Sequence, residues 1–432
     1  MSKTASDLLA FINASPTAFH ATKTIVERLS EAGFAELSEK EAWKLLPGGR
    51  YYVRRNDSAV VAFVLGSRRP WESGFRAMGA HTDSPALRVK PKGELLKEVY
   101  SSVRIEAYGG PILSTWVDRE LALAGRLFVR ENGSVASRLV NIARPIALVP
   151  NLAIHMNREI NKGFEYNPHT HLAAIFAASD TAAQAGGLFD MVATEAGVSP
   201  AGIVDADLFF YDATPGRLCG RNNDFVVAPR LDNLAMCHAI VNAVGSNQTP
   251  EHTPIAFFFD NEETGSCTYQ GADSSFAGDV IERLVLAQGG GREEYLRALA
   301  GSFLISADMA HALHPNYAEK HDDKYAPLMN AGPVIKQNGN NRYATTAETA
   351  ALFEGVCREV GVPVQRVINR ADVPCGSTIG PMTSSALGIK TVDIGNPMWA
   401  MHSARETAGA RDQELMVRAL THFCSNQCLL RV

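Results

Sequence analysis

Ile255-Ala-Phe-Phe-Phe-Asp260 runs without a break into Asn261-Glu262-Glu263-Thr264-Gly265. The apolar run reads as a strand, and the acids stand at its carboxyl end. The same grammar recurs on either side. Strands at Phe303–Asp308 and Lys390–Ile394 alternate with helical patterns at Asn233–Val244, Glu348–Val360 and Gln413–Cys424. Alternation of this kind predicts an α/β fold with a mostly parallel central sheet flanked by helices. Upstream, Leu8, Leu9, Ile12, Phe19, Ile25, Val26 and Leu29 recur at helical spacing, and strand-like runs follow at Tyr51–Arg54, Ser58–Leu65 and Phe75–Ala80.

Between about Val99 and Leu148 the pattern changes. Short alternating stretches (Val103–Tyr108, Arg126–Arg130, Arg138–Ile142) are broken by Gly and Pro, which predicts an antiparallel β-rich unit. The expected organisation is therefore one α/β domain, 1–92 and 230–432, interrupted by a β-rich inserted domain, 93–229. No fixed-period repeat is present.

The chain has 432 residues, 46% of them hydrophobic, and a formal net charge of -5. Such mild acidity argues against nucleic-acid partners and against an anionic membrane surface, both of which need clustered cations. Lys3 is followed only by the short apolar run Leu8–Ile12, where a secretory core wants roughly 7–15 apolar residues. Other apolar runs, such as Ala59–Leu65, fall far short of the ~20 residues that span a bilayer. The seven cysteines are scattered and form no CxxC pair, so they read as reduced thiols of a cytoplasmic enzyme. Asn132-Gly-Ser and Asn247-Gln-Thr match the glycosylation pattern and read as chance occurrences.

Several strands end in the same chemistry. Phe75–Ala80 runs into His81-Thr82-Asp83, Phe303–Ala307 into Asp308, and Lys390–Gly395 into a loop bearing His402; Asp232 stands where a helix begins. In α/β sheets, ligands collect at the carboxyl ends of strands. Two imidazoles and three carboxylates suit a pair of divalent metals, with one carboxylate bridging. The adjacent Glu262-Glu263 pair offers one acid for metal and one for proton transfer, and Asp83 stands where it can accept the other N–H of the His81 ring. Singly, each residue reads as a cap, a turn or a solvated face. Jointly, ionisable groups at the ends of apolar strands point to a site.

His81-Thr-Asp-Ser-Pro, Leu231-Asp-Asn, Glu262-Glu-Thr-Gly-Ser, Ser306-Ala-Asp-Met-Ala-His311 and Met401-His-Ser, in that order, resemble the M18 family of aspartyl aminopeptidases. These are co-catalytic metallopeptidases of the MH clan. The resemblance runs nearly end to end, through Ser15–His20, Tyr108–Arg119, Pro150–His155, His311–Tyr317, Gly332–Lys336 and Pro374–Gly380. It implies that His81, Asp232 and Asp308 hold one metal and Asp232, Glu263 and His402 the other. Glu262 is then the general base and Asp83 the partner of His81. Two ions per subunit are implied, zinc first, with manganese or cobalt as alternatives. One departure is Thr264, where relatives often carry Val.

The resemblance further implies a peptide substrate with a free N-terminus and an acidic first residue, met by Lys336. Gly376, Ser377, Thr378 and Gly380 would line the cleft. His155 would reach from the inserted domain into a neighbouring subunit's site, within a dodecameric homo-oligomer. Without the resemblance, Lys336 reads as a solvated lysine and His155 as a packed core residue. His311, His314 and His321 are left as structural or supporting residues. Two rival readings stand beside this one: an M42-like aminopeptidase of broader specificity, and a non-catalytic assembly scaffold that kept the fold.

Overall fold

Thr253–Phe259 is buried along its whole length, as an apolar strand covered on both faces must be. The computed structural model describes residues 3–97, 99–131, 133–178, 187–246 and 249–430. Both Asn132 and Asn247, the two glycosylation-pattern asparagines, lie outside the described residues. Thr253–Phe259 belongs to a nine-stranded sheet. Its neighbours are Phe75–His81, parallel to it, and Ala59–Val64, antiparallel. Phe75–His81 continues in parallel to Phe303–Ala307, which pairs in parallel with Lys390–Gly395. Val334–Gln337 then joins antiparallel, and Gln365–Ile368 completes that edge. The four central strands thus all run one way, and their carboxyl ends share one edge of the sheet.

Helices cover both faces. On one side lie Lys3–Ala14, Ala18–Glu31, Leu231–Val244, Ala347–Glu359 and Asp412–Phe423. On the other lie Phe276–Ala287, Arg292–Ala300 and Ile379–Leu387. Leu231–Val244 is apolar nearly all round and buried at every position but Asn242, the signature of a helix enclosed by its own protein. A five-stranded accessory sheet gathers Arg217–Cys219, Phe225–Ala228, Glu406–Gly409, Pro397–Trp399 and Ala310–His311.

The chain divides into two units: 1–83, 217–401 and 406–432, and 84–216 with 402–405. The second unit is a six-stranded antiparallel sheet ordered Ser134–Ala147, Leu121–Glu131, Ile203–Asp212, Ala86–Lys97, Tyr100–Tyr108, Ala174–Ala178. It has its own core, built on Leu87, Ile105, Leu123, Leu127 and Phe210. These seams differ from the expected 92 and 230, and strand pairing gives the reason. Ala86 already pairs with Tyr108, so the strand belongs to the second sheet from its first residue. Arg217–Cys219 pairs with Phe225–Ala228 and so belongs to the first unit.

The short segment 402–405 joins the second unit through polar bonds. Ile112 donates its N–H to the His402 carbonyl at 2.9 Å, and Ala404 donates to the Thr115 hydroxyl at 2.9 Å. Arg405 and Arg119 both donate to the buried Asp212 carboxylate, at 3.2 and 3.0 Å. All seven cysteines are free. Among the described residues, no helix is long and apolar enough to cross a membrane.

Candidate active site

Phe75–His81 delivers His81 at its last position, 1% exposed. The end of this strand is fixed from several sides. Thr82 donates its N–H to Phe259 at 2.8 Å and its hydroxyl to the Ser58 carbonyl at 2.7 Å. The Cys237 thiol donates to the His81 carbonyl at 3.0 Å. His81 Nδ1 lies 3.0 Å from the main-chain oxygen of Asp83, so that nitrogen carries a proton and donates it. Nε2 then faces three carboxylates: Asp232 at 3.6 Å, Asp308 at 3.8 Å and Glu262 at 3.9 Å. These separations are too long for hydrogen bonds. They suit atoms arranged about a common ion, since two donors each about 2.0 Å from zinc stand roughly 3.3 Å apart.

Asp232 opens the helix Leu231–Val244, and the Asp232–Asn233 peptide is cis. Its N–H is accepted by the buried Glu406 carboxylate at 3.0 Å. Asn233 donates from its side chain to the Ala307 carbonyl at 2.9 Å, tying the helix start to the strand that presents Asp308. Glu262 and Glu263 sit on a single tight turn, Glu262–Thr264, entered through Asn261 at φ 61°. The Asn261 side-chain oxygen accepts from Thr268 at 2.9 Å and Gln270 at 2.6 Å, which pins the turn.

Asp83 lies beside His81, and its carboxylate makes further bonds. The carboxylate is 3.4 Å from the His81 ring. It accepts the main-chain N–H of Glu262 at 3.1 Å and of Glu263 at 3.2 Å. The imidazole is held by the Asp83 carbonyl, while the carboxylate fixes the turn that carries both glutamates. Charge-assisted bonds of this kind are the strong ones. Sequence spacing shows that His81 and Asp83 are near each other, and not which of the two oxygen types the ring meets.

The electrostatics follow from five acids in one buried space. Burial pushes Glu262 up to about 8, helped by Asp308, Asp232 and Asp83 and opposed by His81. Burial likewise raises Glu263 well above the usual range, with Asp232 next. For His81, burial works against the charged ring, yet Asp232, Asp308 and Asp83 outweigh it and raise its pKa well above normal. Burial also works against Asp308 ionising, but Lys336 and His81 hold its carboxyl below the usual range. A buried set with more carboxylates than cationic side chains is costly unless a cation completes it. Imidazole nitrogen and carboxylate oxygen are the donors that divalent zinc, manganese or cobalt accept. His81, Asp232 and Asp308 place one ligand atom each within 4.8 Å of one another, as do His81, Glu262 and Glu263. The residues present fit a divalent metal.

His402 lies on the segment grouped with the second unit, at φ 69°. Its Nδ1 is 3.2 Å from the Gly110 carbonyl. Donation there fixes the tautomer that presents Nε2 as a ligand.

Lys336 differs from a solvated lysine: it is 3% exposed. Its Nζ donates to the Met309 carbonyl at 2.8 Å, stands 3.4 Å from Asp308 and lies over the Tyr343 ring at 5.3 Å. Thr378 also departs from expectation. It is buried, donates to Asp393 at 2.7 Å and caps the helix Ile379–Leu387. Its hydroxyl is therefore committed within the fold rather than offered to a cleft. Gly380 is equally enclosed, since a Cβ there would come within 2.3 Å of the Asp393 carboxylate. Gly376 and Ser377 are exposed just before the cap. His155 is exposed on a turn, flanked by exposed Leu152, Ile154 and Met156, and so is not a core histidine. His321 accepts the N–H of His314 at 3.1 Å, a structural bond.

Two supporting residues carry little sequence signal. Glu406 holds Asp232 from far along the chain, and Asp393 gathers Thr378, Ser306 and the Ala344 N–H. An acid inside a strand, as in Thr391-Val-Asp-Ile394, is the one hint that Asp393 leaves.

A mixed α/β sheet whose strand ends gather imidazole and carboxylates defines the class: a metallopeptidase fold. The family model described as "Aminopeptidase I zinc metalloprotease (M18)" matches residues 11–424. The chain belongs to the M18 aminopeptidase family. It is 48% identical over 422 residues to a probable M18 family aminopeptidase 2 of Ectopseudomonas mendocina, covering 97% of each chain. A chain in the cryo-EM structure of the Ape4 and Nbr1 complex superposes with a TM-score of 0.94 at 38% identity, covering 98% of this chain and 85% of that one. The S. cerevisiae mApe1 dodecamer gives 0.83 at 28%, covering 98% and 96%. The family match sets aside the M42-like reading.

Proposed function

We propose that this M18 metallopeptidase is a two-metal aminopeptidase that removes acidic residues, Asp or Glu, from the N-terminus of peptides. The observation that carries this reading is the convergence of His81, Asp232, Asp308 and Glu262 at one end of the sheet. His81, Asp232 and Asp308 would hold one ion; Asp232 and Glu263, with the His402 that the resemblance supplies, would hold the other. Divalent ions held there would supply polarisation of the scissile carbonyl and a lowered pKa for the attacking water, with zinc the first candidate.

Glu262 takes the proton of that water and returns it to the departing amine. Burial raises the Glu262 carboxyl in the metal-free chain, and a bound cation would draw it back toward the ionised form that a base needs. Asp83 keeps the Glu262-Glu263 turn still through both steps. Lys336 supplies the cation that an acidic first residue needs. Its closeness to Asp308 couples recognition to the ligand set. Gly376 and Ser377, exposed beside the helix cap, are the cleft-lining part of the 376–378 segment.

His155 acts on a neighbouring subunit's substrate, within an assembly that the S. cerevisiae relative forms as a dodecamer. The exposed apolar residues around it support a partner surface. Aminoacyl-anilides of Asp, Glu, Leu and Lys, assayed with Zn, Mn and Co after chelation, test the reading. Faster cleavage of Asp and Glu is expected, and a faster Leu substrate would refute the acidic preference.

A further inference from the structure

Away from the strand ends, three ligating side chains of different kinds meet near the C-terminus. Glu359 ends the helix Ala347–Glu359, His422 lies in the last turn of Asp412–Phe423, and Cys428 follows that helix. One ligand atom from each lies within 4.8 Å of the others. His422 Nε2 is 2.7 Å from Glu359 Oε2, and Cys428 is 8% exposed. Two helix carboxyl ends converge here, and both favour a cation.

We propose that Glu359, His422 and Cys428 form a separate structural site for one zinc-class ion. Thiolate, imidazole and carboxylate together select zinc over magnesium or calcium, whose sites are all oxygen. One Zn²⁺ with a thiolate, a carboxylate and a neutral imidazole is formally neutral. It therefore adds no net charge beside Arg76, which is buried nearby and donates to the Leu430 carbonyl at 2.8 Å. Ligand bonds of about 2.0 Å set nitrogen and oxygen roughly 3.3 Å apart. The present His422–Glu359 hydrogen bond opens by about half an ångström to admit the ion. The site would staple the C-terminal segment to two helix ends, and through Arg76 to the base of the strand that carries His81.

Cobalt substitution separates this site from the active site, whose proposed ligands include no sulfur. The purified full chain, chelated and reloaded with Co²⁺, should show a thiolate-to-cobalt charge-transfer band in the near ultraviolet. Cys428→Ser and His422→Gln should each abolish the band while aminopeptidase activity persists, and Glu263→Gln should keep it. Zinc content of Cys428→Ser should fall by one ion per chain. No band in the unmodified protein, or a band that survives Cys428→Ser, would overturn the proposal.

Discussion

The two sheets of this protein expose opposite things. In the nine-stranded sheet the central strands Phe75–His81, Thr253–Phe259 and Phe303–Ala307 are buried throughout, and what they present is charge at their ends: His81, the Glu262-Glu263 turn, Asp308. In the six-stranded sheet the strand Ser134–Ala147 is exposed over much of its length, and exposed apolar side chains persist at Val135, Leu139 and Val204. The turn beyond it adds Leu152, Ile154 and Met156. A sheet covered on both faces has only its edges left for chemistry. A sheet with one open face can offer a partner surface. On the function proposed above, the first unit carries most of the reacting residues and the second the assembling surface.

The sharpest way to break this division is to remove the proton carrier. Glu262→Gln should lower kcat by about 10²–10⁴-fold, the usual worth of a positioned acid-base group. Metal content, measured by atomic absorption, should not change. Activity retained in this variant would move the base to another residue.

The second unit makes the next largest prediction. Leu152→Asp with Met156→Asp should dissociate the assembly in light scattering. If His155 serves a neighbouring site, activity should fall with it, on the order of 10²-fold, as for loss of one polar stabilising group. His155→Ala should lower activity comparably with the assembly intact. A fully active dissociated chain would confine the reaction to the first unit.

Specificity is a smaller effect. Lys336→Met removes a charge-assisted contact worth about 1.5–3 kcal/mol, so the ratio of Asp- to Leu-substrate kcat/KM should drop roughly 10- to 100-fold. Lys336 also lies 3.4 Å from Asp308, so both substrates should slow together in addition. An unchanged ratio would make Lys336 a partner of Asp308 alone.

How far these assignments are readable from sequence depends on what each rests on. The alternation of apolar runs and helical spacing locates the central strands, because a doubly buried strand leaves a continuous apolar signal. Metal-type side chains at run ends mark the site for the same reason. The seams between units are less legible, since Ala86–Lys97 carries polar and apolar residues that suit either sheet until its partner strand is known. Atom-level roles are less legible still. Asp83 meets two N–H groups that lie about 180 positions further along the chain. Thr378 turns inward to Asp393, and Lys336 is buried rather than solvated, facts fixed by tertiary contacts alone. Asp83→Asn tests the first of these: one acceptor replaces two, and kcat should fall roughly tenfold, the cost of about 1–2 kcal/mol for a weakened buried bond. KM should move little, because Asp83 is buried and acts on the turn.

The gentlest test concerns charge in the first unit alone. Glu262 is raised from 4.5 to about 8, so between those pH values the folded metal-free chain holds a proton that the unfolded chain has released. Stability must then fall as pH rises through that window. His81, also raised, acts in the same direction, since the stability it gains as a cation is lost as pH rises. Asp308 is lowered and has finished titrating in both states below the window. Buried His20, His238 and His311, whose pKa values are lowered from 6.5, act the other way at lower pH, so chelated protein should melt a few degrees lower near pH 8 than near pH 6.5. Added zinc should raise Tm most at the alkaline end, because a divalent cation relieves the ionised carboxylates and not the protonated ones. Glu262→Gln should make the metal-free slope shallower without abolishing it, since His81 and Glu263 still contribute. A Tm that is flat with pH would mean that these acids do not share one buried field, and the division of labour between the two sheets would lose its electrostatic basis.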